Sequence, residues 1–211
     1  MAWTTITNPE IAPGAAGTTA LFTALRDNTI ASQGAMKHLA DATISSDATV
    51  DFTAFDNTIY RSYKFVFENV LNATSAADFE MLFSTDGGAT FQTSYDYRGI
   101  FAGGGGVTAP SGNGASQILL MSDLDKSGAT TFGTSGTVEI IGAASSTRTS
   151  FTSQMAGKNI SGITLLASTQ LTSGWSRSAT DTDAVRFQMS AGNMTSGTIH
   201  MYGILAALEA A

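Results

Sequence analysis

Tyr63-Lys64-Phe65-Val66-Phe67-Glu68 and, further on, Phe79-Glu80-Met81-Leu82-Phe83-Ser84 decide the fold. Tyr63, Phe65 and Phe67 recur at every second position in the first run, and Phe79, Met81 and Phe83 do so in the second. A period of two puts each set on one face of a strand, whereas a helix would scatter them around its axis. The polar interval 69–78 between them reads as a loop.

Working outward, further strands are expected over 42–44, 50–55, 95–101, 116–121, 137–141, 148–155, 163–167, 185–189 and 198–205. Turn-forming Gly, Ser and Asn separate nearly all of them, and no helical period intervenes. The expectation is an all-β fold, one antiparallel, jelly-roll-like β-sandwich over about 41–205. Its core should hold Phe65, Phe67, Phe79, Met81, Phe83, Val185, Phe187, Ile199 and Met201. Gly103 to Gly106, followed by Pro110, reads as a flexible, exposed loop.

The first forty residues have a different texture. Pro9, Pro13 and Gly14 break up an arm over 3–16, in which Trp3, Ile6 and Ile11 need something to dock on. Thr18 or Thr19 can cap a helix running to about Leu39. Leu21, Leu25, Asn28, Ser32, Ala35 and Leu39 then form a 4-3-4-3-4 seam, which fits either a self-associating coiled coil or one helix packed on the body. The chain is thus divided into an attachment and assembly segment, 1–40, and a β-body, 41–211.

Composition narrows the function. The 211 residues are 43% hydrophobic but only 13% charged, with Ser and Thr on the polar positions, which suits exposed strand faces. Net charge is −7 and the ten Lys and Arg are scattered, so no basic stripe is present to neutralise nucleic-acid phosphates or anionic lipid. The absence of Cys rules out disulfides and Cys-based zinc sites. No apolar run reaches membrane-spanning length, and no signal peptide is read at the N-terminus.

Motifs for catalysis are thin. Ser84-Thr85-Asp86-Gly87-Gly88-Ala89-Thr90-Phe91 resembles an Asp-box hairpin of sialidases, with Asp86 accepting backbone N–H groups, glycines supplying positive φ and Phe91 returning to the core. One copy with scattered arginines does not make a sialidase. Asp123, Asp125 and Ser127 precede Gly128 as in a Ca²⁺ loop, but Thr134 stands where the bidentate acid belongs, and a solvated turn is the plainer reading. His38, placed near a helix C-terminus, and His200, out of phase with Ile199 and Met201 and facing solvent or a neighbouring chain, are read as isolated. No Ser sits in a nucleophile-elbow pattern and no two carboxylates pair as in a glycosidase. The sequence therefore assigns no catalytic, cofactor-binding or metal residue, and points to a binding or building part. Tyr95, Asp96, Tyr97 and Arg98, with Trp175 and Arg177, are the aromatic–charged clusters that suit a sugar or protein surface, or else fill the core or a subunit interface.

Two segments carry a resemblance. Trp3-Thr4-Thr5-Ile6-Thr7, Ile11-Ala12-Pro13-Gly14 and Leu21-Phe22-Thr23-Ala24-Leu25-Arg26-Asp27-Asn28 are similar to the N-terminal segment of tailed-bacteriophage virion proteins. The stretch from Tyr63 to Val70, Phe83 to Gly88 with Phe91, Asp183 to Phe187 and Ser196 to Ile204 resemble β-sandwich domains of phage tail and fibre proteins. The resemblance implies a homotrimeric virion structural protein, bound to other virion proteins through residues 1–40 and exposed on the particle. It implies a tail-associated fibre or receptor-binding subunit contacting a host glycan or protein. The lack of a long shaft leaves a capsid decoration or head-fibre protein as the alternative, and a glycan depolymerase as a third.

Overall fold

Alternation along the chain becomes two facing antiparallel sheets. The computed structural model describes residues 36–103, 106–125, 132–143, 148–158 and 167–205. Its strands are β1 (Met36–Ile44), β2 (Thr49–Phe52), β3 (Tyr60–Asn72), β4 (Ala77–Ser84), β5 (Tyr95–Gly103), β6 (Gly106–Thr108), β7 (Ser111–Ala115), β8 (Ile118–Leu124), β9 (Thr134–Ile141), β10 (Ser150–Lys158), β11 (Ala167–Ser176), β12 (Ala184–Met189) and β13 (Met194–Leu205). A nine-stranded sheet runs β1-β13-β3-β9-β10-β11-β5-β6, with β7 also on β5, and a four-stranded sheet runs β2-β12-β4-β8. No helix occurs among the described residues, so the fold there is all-β and sandwich-like.

The core lies between the sheets. Phe187 of β12 meets Phe65 and Phe67 of β3 edge-on, at centroid separations of 5.2 and 4.9 Å, and stacks on Phe79 of β4. Phe52 of β2 adds a further edge to Phe65 and Phe187. Edge-to-face contact suits aromatic quadrupoles and adds to the burial of each ring. All nine residues expected in the core are buried.

Several expectations are corrected. Residues 36–39 belong to strand β1 and not to the end of a helix. The remainder of the expected arm and helix lies outside the described residues. The interval 69–78 is mostly not loop: β3 continues to Asn72 and β4 begins at Ala77, with Val70 and Leu71 buried. A bulge between Phe67 and Val70, with Asn69 at φ +50°, breaks the alternation there and disguises the strand. Gly103 and Gly106, expected in a flexible loop, are cross-strand partners at the ends of β5 and β6, and 104–105 lie outside the described residues. The edge continues as β7 after Pro110, which interrupts an edge where no ladder N–H is needed.

The Asp86 turn also serves another purpose. It links β4 of the small sheet to β5 of the large one, and these two strands are not partners. Phe91 is half-buried with the Arg186 guanidinium 4.0 Å from its ring centre, and does not return to the core. The local chemistry is as expected. Asp86 accepts from the Thr90 N–H (2.8 Å) and from the hydroxyls of Thr90 (2.7 Å) and Ser84 (2.8 Å). Gly87 and Gly88 hold φ of +71° and +88°.

Candidate binding face and a histidine cluster

β11 reverses the usual logic of a sandwich strand. Its alternation is perfect, but Ser168, Gln170, Thr172 and Ser176 point inward, while Leu171 and Trp175 point out and are 47% and 44% exposed. Of the strand expected at 163–167, residues 163–166 lie outside the described residues, and the strand at Ala167–Ser176 was not expected beyond Ala167. Inverted polarity hid it, because apolar residues mark the buried face in a sequence reading.

The inward polar groups are satisfied. Gln170 accepts from the Ser122 N–H (3.1 Å) and donates to the Leu119 carbonyl (3.4 Å) and the Thr172 hydroxyl (3.1 Å). Ser168 donates to the Gly157 carbonyl at 3.0 Å. Buried polar groups cost little only when bonded in this way.

On the outer face β11 lies against β5 with Trp175 opposite Asp96 and Leu171 opposite Ile100, and on the inner face Gly174 stands opposite Tyr97. Arg177 grips Asp96 through Nε at 2.9 Å to both carboxylate oxygens and also donates to Asn113. The Gly114 N–H donates to Asp96 as well, at 2.9 Å. The Arg177 guanidinium holds the Asp96 carboxyl below its ordinary value. Arg98 donates through Nη1 to the carbonyls of Tyr97 (2.9 Å) and Gly112 (3.0 Å), which ties β5 to β7.

Two glycines make this packing possible. A Cβ on Gly174 would lie 2.1 Å from the Asp96 carbonyl, and one on Gly112 would lie 2.4 Å from the Tyr97 ring. Tyr97 thus fills the space that two neighbouring strands leave open. Beside it lies a depression of about 600 Å³ lined by Asp96, Tyr97, Arg98, Asn113, Thr152 and Trp175. A shallower one continues past Ile100 and Leu171.

The sequence clusters are therefore split by the structure. Trp175, Asp96, Arg98 and Arg177 come together on the outer face. Tyr95 does not join them: it is fully buried, and its hydroxyl donates to the Gln92 carbonyl and accepts from the Phe83 N–H. Tyr97 is half-buried and packs against the core from beneath the depression. An indole face beside fixed acceptors and a guanidinium can stack on a sugar ring and hydrogen-bond its hydroxyls, or seat a protein side chain.

At the far end of the same sheet the two histidines are not isolated. His38 Nε2 lies 2.7 Å and His200 Nδ1 lies 2.5 Å from the same oxygen, Asp41 Oδ1. His38 is on a strand, not at a helix end. The paired imidazoles hold the Asp41 carboxyl below its ordinary value, and Asp41, with Glu68 on the far side of the ring, raises that of His200.

Of the Asp123, Asp125 and Ser127 cluster, the described residues form no metal-ligating group with other acids or histidines. Asp125 is paired with the Lys158 ammonium at 2.8 Å, which opposes a second cation at that carboxylate. The Asp123 N–H donates to Asp78 at 2.9 Å, and Ser127 lies outside the described residues. Comparisons of the chain with protein-family models, with curated proteins and with solved structures give no match.

Proposed function

We propose that this protein is a non-enzymatic structural subunit of a tailed-bacteriophage virion, a tail-associated fibre or receptor-binding subunit that contacts the host surface. The observation that carries the binding role is the inverted strand β11, which keeps Trp175 and Leu171 in water while burying Gln170 and Thr172. Apolar area left in water forgoes about 25 cal/mol per Å², and a partner laid over this face recovers it. The place on a virion rests on the sequence resemblance, as do the homotrimeric state, the jelly-roll-like description of the body and the attachment role of residues 1–40. A capsid decoration is the second reading, and copy number per particle separates the two.

The ligand class for the Trp175 depression is a host surface glycan. Purified full-length protein should bind host cells or their extracted polysaccharide, and Trp175→Ala should abolish that binding without releasing shortened saccharides in either case. Equal binding by the variant removes this face from the proposal, and saccharide release would make the protein a depolymerase. Light scattering on the same sample tests the trimer.

A further inference from the structure

Strand parity should keep His38 and Asp41 apart. Residues three apart in a regular strand point to opposite faces. In β1 the pairing shifts between His38, opposite Tyr202, and Ala40, opposite Met201, so Leu39 is an extra residue. Leu39 and Ala40 consecutively pack toward the core, and the next outward position is Asp41. The bulge thereby brings His38 and Asp41 onto one face, and the register sets His200 directly opposite Asp41.

We propose that His38, Asp41 and His200 bind a divalent transition-metal ion of the Zn²⁺ type. Each residue offers one ligand atom, and these atoms lie within 4.8 Å of one another. Ligands at about 2.0–2.2 Å around a tetrahedral ion sit about 3.3 Å apart, so small side-chain rotations open the present contacts around an ion. Two imidazole nitrogens and one carboxylate oxygen suit Zn²⁺, Co²⁺ or Ni²⁺, whereas Ca²⁺ and Mg²⁺ prefer oxygen alone. A fourth position stays open to water.

The surroundings are those of a metal-binding histidine. The far nitrogen of His200, Nε2, faces Glu68 Oε2 at 3.6 Å. A carboxylate behind a ligating imidazole fixes its tautomer and raises its basicity. His38 meets the Tyr202 ring edge-on at 5.4 Å, which limits its rotation. The four polar groups stand on three adjacent strands, β1, β13 and β3. A bound ion would fasten the edge strand β1 to its neighbour.

Full-length protein stripped with EDTA and titrated with CoCl₂ and then ZnCl₂ tests this. One Co²⁺ per chain should bind with the visible absorption of a four-coordinate site, be displaced by Zn²⁺, and raise the melting temperature. His38→Ala and Asp41→Asn should each weaken binding by at least about tenfold, and Glu68→Gln by about tenfold. His38 is half exposed, so its variant should keep the wild-type circular dichroism and metal-free melting temperature. Absence of saturable Co²⁺ and Zn²⁺ binding overturns the proposal. So does undiminished binding by a His38→Ala variant that folds, which would put the ion elsewhere.

Discussion

The two ends of the nine-stranded sheet are built on opposite principles. On β3 the aromatic residues Tyr63, Phe65 and Phe67 face inward, and on β13 Ile199 and Met201 do. On β11 the interior is Gln, Thr and Ser, and the large apolar side chains face out. The first end owes its stability to burial and the second to hydrogen-bond satisfaction, so they should respond differently to mutation. The exposed Trp175 and Leu171 are what the proposed binding role rests on.

Phe187→Ala should have the largest effect. Its ring touches those of Phe52, Phe65, Phe67 and Phe79. Loss of such a buried ring costs about 3–5 kcal/mol, read as a shifted urea midpoint. Gln170→Leu asks whether polarity at the other end is needed. The hydrogen bonds of Gln170 to the Ser122 N–H and the Leu119 carbonyl would be lost, at a cost of about 1–3 kcal/mol. A variant more stable than wild type would break the comparison, since the inward polar row would then not be a stabilising device.

Acid should act on the turn that joins the two sheets. Hydrogen bonds from Thr90 and Ser84 hold the Asp86 carboxyl at about 2, against 3.8 ordinarily. The unfolded chain therefore takes up a proton at higher pH than the folded one. The contribution of Asp86 is complete above its ordinary value and is lost as pH falls from about 4 through about 2. Asp86→Asn should flatten that part of the melting-temperature profile, and an unchanged acid slope would show that the turn is not coupled to unfolding. The smallest effect on stability belongs to Trp175→Ala, within about 0.5 kcal/mol for an exposed side chain, even where binding is lost. A large destabilisation would mean that Trp175 is structural.

Legibility followed the same division. Strands β3, β4, β12 and β13 were readable because their apolar faces are buried and their alternation is regular. β11 beyond Ala167 was not legible because its apolar face is the outer one, and the end of β3 was lost at a bulge. The Trp175 cluster was visible as residue types, yet nothing in the sequence separates Tyr95, which is core, from Trp175, which is surface. Both are aromatic residues beside polar neighbours, and only their side of the sheet distinguishes them.

The sequence by itself determined the all-β class, the aromatic core and the chemistry of the Asp86 turn, since period-two spacing and a short Asx–Gly segment act over a few residues. Tertiary structure decided the rest. Cross-strand register set Trp175 opposite Asp96 and His200 opposite Asp41, across 79 and 159 residues of chain. A single extra residue, Leu39, reversed the parity that would have kept His38 away from them. Register and bulges are settled when whole sheets pack, because only then does one offset bury more apolar surface than its neighbours.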